Sequence, residues 1–363
     1  MSQNIQKILV ARLRHHGDLL LTTPVFSVLK NRYPHALIDA YIYEETAPIL
    51  EGNPAIEKMI LYSKQKARKG LFKIFYEIKI LWRIFIARYD LVLNLTEGDR
   101  GALAAFVSRA KIRVGIDPEG SGMVGKKWLY THLAKRCHHL RHTVERQLDV
   151  LRALDIFPAF EERELCFPIP PEAKAFITTL LAAFKITQPF IVVHPVSRWL
   201  FKCLPITTMR QVIDYLVKLG YPVILTASSE AQELKMNQAL AEGFSKEQVI
   251  DLSGKLSLKE LGALLEKTHL LVCVDSLPLH LASALKVPVV AMFGPTSDKT
   301  WAPWRNPFAK IVTQDYTCRP CYMPGCAHRG VSDCLETMSP ALIIESIERM
   351  LQREVFTQVT RSS

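Results

Sequence analysis

The sequence predicts an α/β protein built from two doubly wound parallel-sheet domains, and three observations carry that prediction. At 363 residues the chain is too long for one ordinary core and suits two domains of roughly 100 to 200 residues. Short β-rich apolar runs alternate with amphipathic helical stretches, which is the rhythm of βαβ units. A proline cluster, Phe167-Pro168-Ile169-Pro170-Pro171, continues neither helix nor strand, and after it the same rhythm begins again.

In chain order, Lys7 to Leu13, Ile38 to Tyr43 and Leu91 to Leu95 read as strands, with helices over Thr23 to Tyr33 and Val144 to Leu154. Beyond the prolines, Phe190 to His194, Val223 to Thr226, Leu270 to Val274 and Val289 to Phe293 read as strands. The boundaries predicted are a first domain at 1–168, a second at 172–338, a helix at 339–356 centred on Pro340 to Leu351, and a mobile polar tail at 357–363. In such sheets ligands lie beyond the carboxyl ends of the strands, so the loops there are where chemistry is sought.

A composition that is 49% hydrophobic and 22% charged belongs to a folding globular chain rather than a disordered one. The opening residues lack the basic tip, apolar stretch and small-residue cleavage site of a signal peptide, and the most apolar segment, Leu71 to Tyr89, is broken by Lys73, Glu77, Lys79, Arg83 and Arg88. The expectation is a cytoplasmic chain whose eight cysteines are reduced thiols or metal ligands. Of the net charge of +11, residues 1–170 carry +8, from 26 Lys and Arg against 18 Asp and Glu. The first half is thus the side that meets an anionic partner: phosphorylated glycolipid, membrane surface or nucleic acid.

Four loops carry candidate chemistry. Arg12-Leu13-Arg14-His15-His16-Gly17-Asp18 follows the first strand, and Asp18 reads either as a base that takes a proton from an acceptor hydroxyl or as a capping aspartate. After the first strand of the second domain, Ser197 and Lys202 would meet phosphate oxygens; the alternative is a solvated surface lysine. After the next strand, Glu230 or Glu233 would accept hydrogen bonds from ribose hydroxyls. Asp275-Ser276, followed by His280 and the small Ala282-Ser283-Ala284, reads as a helix N-terminus aimed at a diphosphate, with a plain N-cap and a structural histidine as the alternative. There is no Asp-x-Asp string to hold a divalent ion, and neither a P-loop nor a dinucleotide G-x-G-x-x-G fingerprint is read, so the ATPase and dehydrogenase readings lose support.

Two further clusters lie outside these loops. Cys318, Cys321, Cys326 and Cys334 have C-x2-C-x4-C-x7-C spacing, and four thiolates would enclose a structural zinc ion; plain thiols or a disulfide are the alternative. Lys64, Lys66, Arg68 and Lys69 form a basic run before the apolar segment, which together would hold an anionic glycolipid at a bilayer surface; a core helix with a solvated basic face is the other reading. No interleaving of aromatic and basic residues of the RNA-recognition kind is present, so no nucleic-acid partner is expected.

Taken together, R-x-x-x-x-G-D at the opening strand, H-P-x-x-R-W-x-x-K-x-x-P from His194 to Pro205, and D-S-x-P-L-H-x-A-S-A-L with F-G-P-T from Asp275 to Thr296 resemble the ADP-heptose:lipopolysaccharide heptosyltransferase family. Trp301-Ala302-Pro303-Trp304 and the cysteine-bearing tail look most like the branch that adds the third, side-chain heptose. The resemblance implies a GT-B fold, with an acceptor-binding first domain and a nucleotide-sugar-binding second. It implies inverting transfer without a required cofactor or metal, ADP-L-glycero-D-manno-heptose as donor and the phosphorylated lipopolysaccharide inner core as acceptor. A peripheral place at the inner face of the inner membrane goes with that acceptor. By position, Asp18 would be the general base and Lys202 the diphosphate partner, with Ser197, Asp275, Ser276 and His280 lining the donor site. The competing reading is a non-catalytic nucleotide or anionic-glycolipid binding protein on the same frame.

Overall fold

The computed structural model describes residues 5–67, 71–136 and 140–361; for residues 71, 72 and 353–361 the backbone alone is described. Two compact units divide the chain, Met1–Pro168 and Ile169–Ser363. Each is built on one six-stranded parallel sheet.

Unit 1 contains β1 (Lys7–Arg12), α1 (His16–Leu20), α2 (Thr23–Arg32), β2 (Leu37–Tyr43), β3 (Lys58–Tyr62), α3 (Leu71–Ala87), β4 (Leu91–Asn94), α4 (Asp99–Val107), β5 (Ile112–Ile116), β6 (His132–Ala134) and α5 (Thr143–Arg152). Its strand order is β3-β2-β1-β4-β5-β6. The central strand β1 is buried from Ile8 to Arg12, as a strand covered by helices on both faces must be. Pro24 starts α2, where a missing N–H costs nothing. At the base of α4, Gly101 is required for space: a β-carbon there would overlap the Asn94 side-chain amide at the end of β4.

Unit 2 contains α6 (Pro171–Ala183), β7 (Ile191–His194), α7 (Ile206–Lys218), β8 (Val223–Leu225), α8 (Ala231–Ala241), β9 (Val249–Asp251), α9 (Leu258–Lys267), β10 (Leu270–Val274), α10 (Leu277–Leu285), β11 (Val289–Phe293), β12 (Ala309–Thr313), α11 (Asp333–Glu336) and α12 (Pro340–Arg361). Its order, β12-β11-β10-β7-β8-β9, is that of unit 1 with the strands renumbered. The order reverses between β1 and β4 in the first sheet and between β7 and β10 in the second. These are the switch points outside which doubly wound folds take ligands. Ile343, Ile347 and Met350 bring α12 into the second core, and its backbone continues as helix to Arg361, through most of the stretch expected to be a tail.

Candidate functional site

The first cluster grows from the end of β1. Leu13 N donates to Thr96 Oγ1 at 2.8 Å, tying the loop after β1 to the loop after β4 at the switch point. Asp18 lies in the first turn of α1, and its Oδ1 accepts from Arg12 Nη2 at 3.0 Å. Arg12 also donates from Nη1 to the Leu95 carbonyl. Burial pulls the Arg12 guanidinium down to about 10, Asp18 opposing, so it stays cationic at neutral pH. The N-cap of α1 is His15, so Asp18 is not the capping residue. Its side chain is 21% exposed against 5% for Arg12: a carboxylate held from behind by a buried cation, with an edge open to solvent.

In the basic run before α3, Lys64 and Lys66 are locally compensated. Lys64 Nζ lies 2.7 Å from Glu45 and over the Tyr43 ring at 4.0 Å, and Lys66 pairs with Glu44 at 3.2 Å. Such exposed pairs are worth at most about 1 kcal/mol and exchange readily for a stronger anion. Arg68 and Lys69 lie outside the described residues.

The second cluster spans the second switch point. Lys202, in a 3-10 turn at Leu200–Lys202 after β7, places Nζ 2.7 Å from Asp275 Oδ2 after β10. Thr296 Oγ1, after β11, donates to the same oxygen at 2.7 Å. Lys202 is therefore not a solvated surface lysine: one of its three N–H donors is engaged, and the ammonium is held in place with donors to spare. Ser197 is buried in the same loop, and its Oγ accepts from Trp199 N at 3.4 Å. His194, at the end of β7, is buried and lies 3.0 Å from Thr226 Oγ1 through Nδ1; burial alone takes it down to about 4, so it is neutral at physiological pH.

Ser276 is the N-cap of α10, yet its hydroxyl donates back to the Val274 carbonyl at 3.1 Å and forms no side-chain cap. The first-turn amides of α10, with Pro278 among the opening residues, are not closed off by Ser276. His280 is buried, its ring centroid 6.3 Å from that of Trp301. The two glutamates after β8 separate by role. Glu233 is buried and accepts from Ser228 N at 2.8 Å, holding the loop, whereas Glu230 is exposed at the N-cap of α8.

The tetrathiolate zinc reading gains no support from the structure. Among the described residues no group of three or more His, Cys, Asp or Glu side chains is placed to hold a metal ion. Cys334, on α11, packs into the second core beside Leu335 and Met338; burial raises its thiol to about 11, with Arg319 opposing and the Cys326, Cys321 and Cys318 thiols adding to the rise. Cys326 Sγ instead accepts from Asp333 N at 3.4 Å.

Sequence reasoning missed the two residues that hold the candidate charges, Arg12 and Thr296; each stood inside a quoted string, but only the fold shows what it touches. It also passed over Gly120-Ser121-Gly122-Met123-Val124-Gly125, which spells G-x-G-x-x-G. That string joins β5 to a 3-10 turn rather than opening a helix after a first strand, the context a dinucleotide fingerprint needs. It seats the buried Lys126 against Asp99 at 3.1 Å.

Two parallel-sheet α/β domains of one strand order, each with a polar cluster at its switch point, have the architecture of the GT-B fold. The model of glycosyltransferase family 9 (heptosyltransferase) matches residues 79–331, and the chain belongs to that family. It is 32% identical over 342 residues to lipopolysaccharide heptosyltransferase 3 of Escherichia coli, covering 93% of this chain and 97% of that one, in the third-heptose branch that the sequence resembles. Among solved structures, a family 9 glycosyl transferase from Veillonella parvula aligns with TM-score 0.81 at 24% identity, over 97% of this chain and all of the other. E. coli ADP-heptose lps heptosyltransferase II aligns with TM-score 0.76 at 22% identity, over 96% and 99%.

Proposed function

We propose that this glycosyltransferase moves L-glycero-D-manno-heptose from ADP-heptose onto a heptose of the phosphorylated lipopolysaccharide inner core, with inversion and without a metal ion, working at the inner face of the inner membrane. The observation that carries the reading is the Lys202–Asp275–Thr296 cluster at the switch point of unit 2, a fixed cation beside an uncapped helix start, which suits a diphosphate. Asp18, at the corresponding place in unit 1, is the candidate base.

The acceptor hydroxyl oxygen forms a bond to the anomeric carbon while the bond from that carbon to the ADP oxygen breaks. The hydroxyl proton passes to Asp18, and the electron pair of the broken bond leaves with ADP. Lys202 and the first amides of α10 meet the charge that grows on the diphosphate. With no Asp-x-Asp string in the chain, that duty falls on these groups. Ser197 and His280 line the donor side, Glu230 rather than Glu233 is assigned to the ribose, and Lys64 and Lys66 trade their glutamates for acceptor phosphate.

The test is Asp18→Asn, which keeps an oxygen for Arg12 to donate to but cannot take a proton. ADP release from ADP-heptose plus acceptor should fall roughly 10²- to 10⁴-fold with donor affinity unchanged. Wild-type turnover in the variant, or a wild-type enzyme silenced by EDTA and restored by Mg²⁺, would refute the mechanism.

A further inference from the structure

α3 faces solvent with the wrong kind of surface for a soluble helix. Its inner side, Ile80 and Ile84, is buried in the first core. Its outer side carries Ile74, Ile78, Trp82 and Ile86 at i, i+4 spacing, with Phe75 beside them, all between 55% and 67% exposed. Neighbouring α4 extends the patch with Leu103 and Phe106, 37% and 52% exposed. A groove of about 510 Å³ lined by Phe85, Phe106, Val107, Arg109 and Arg113 runs beside it.

The exposed charges of α3 are basic. Lys73, Lys79 and Arg83 are exposed on α3, and Arg88, Arg109 and Lys111 are exposed at its margin. Glu77, the one acid of α3, is turned inward, accepting from Arg100 at 2.8 Å and from the Tyr62 hydroxyl at 2.7 Å. An apolar stripe flanked by exposed lysines and arginines matches a layer that is anionic at its surface and apolar beneath. Among the described residues no helix is long and apolar enough to cross a membrane, so the patch suits lying in the interface rather than spanning it.

We propose that the outer face of α3, extended by Leu103 and Phe106, docks this protein on an anionic phospholipid bilayer, with Trp82 and the isoleucines below the headgroups and the lysines and arginines among them. The proposal rests on the function proposed above, in which the acceptor is anchored in a membrane, and it names the surface that brings the enzyme there.

The experiment is flotation of the full chain with phosphatidylethanolamine–phosphatidylglycerol vesicles and, separately, with phosphatidylcholine vesicles, for wild type and for Ile78→Glu/Trp82→Glu. The wild type should float with the anionic vesicles and far less with the neutral ones. The variant, which removes two apolar anchors and adds two repelled charges, should lose binding by at least about a hundredfold. Its transfer to a lipid-free core oligosaccharide should match wild type, while transfer to acceptor embedded in anionic vesicles should drop. A wild type that does not float, or a variant that floats equally well, overturns the proposal. So does a wild-type dimer that the two substitutions make monomeric without any vesicle binding, since the face would then belong to a second copy. Failure of the wild type to glycosylate the lipid-free acceptor would count against the proposed function instead, whatever the vesicles show.

Discussion

Removing the Lys202 ammonium separates what the second cluster does for stability from what it does for the donor. In Lys202→Ala, Asp275 remains 5% exposed and keeps the Thr296 hydroxyl, but loses its cation. Breaking one side of a buried ion pair costs about 3 to 5 kcal/mol; Lys202 is itself 19% exposed, so water reaches part of the vacated space and about 3 kcal/mol is the appropriate end of that range. Adding Asp275→Asn removes the stranded charge while leaving an oxygen for Thr296, and should recover all but about 1 kcal/mol. The diphosphate, however, has still lost its point charge, so ADP affinity should stay down by roughly 1.5 to 3 kcal/mol in both variants, about 10- to 150-fold. Urea denaturation reads the first quantity and titration calorimetry with ADP the second. A single variant that loses less than about 1 kcal/mol of stability, or a double variant that regains ADP affinity together with its stability, would refute the division.

Three further outcomes are expected. His194 has a folded pKa of about 4 against an ordinary 6.5, so the unfolded chain takes up its proton first as pH falls; the stability this histidine contributes is present above about pH 6.5 and is lost toward pH 4, about 3 kcal/mol in all, and His194→Gln should flatten that part of the melting-temperature profile. Gly101→Ala forces the Asn94 amide to move and with it the bonds to Thr96 N and the Tyr130 hydroxyl, at a cost of about 1 to 3 kcal/mol by thermal melt. Glu233→Gln should lower the melting temperature by loosening the Ser228 loop, whereas Glu230→Gln should leave it unchanged and raise KM for ADP-heptose; the reverse pattern would exchange their roles.

The sequence is most legible where burial is complete. Leu270–Val274 and Val289–Phe293 are buried throughout, and continuous apolar runs bounded by polar turns locate them to the residue. β3, β6, β9 and β12 are three to five residues long and carry half-buried positions, so neither alternation nor a solid apolar run marks them. Cys334 shows the limit of spacing arguments: only the C-x2-C interval is metal-like, and no interval tells that α11 packs Cys334 beside Leu335 and Met338. For α3 the difficulty is of another kind. A helix apolar on both sides gives the same pattern whether its second face meets protein or lipid, and only the exposure of Trp82 and its neighbours distinguishes the two.

Candidate loops were legible because they follow strands; their partners were not, because pairing is set by strand order. Lys202 and Asp275 stand 73 residues apart and meet only because β7 lies next to β10. Arg12 reaches Leu95 over 83 residues for the same reason, β1 lying next to β4. No local rule connects either pair, yet one topology repeated in both units produces both. At each switch point the neighbouring loops diverge to opposite faces of the sheet and leave a crevice, so a charged residue placed there can be gripped from the adjoining strand while one side stays accessible. Lys202, 19% exposed against 5% for Asp275, is gripped in that way across strands; Asp18, 21% exposed, is held at one remove, by Arg12 of its own loop, which the Leu95 carbonyl fixes from the adjoining strand.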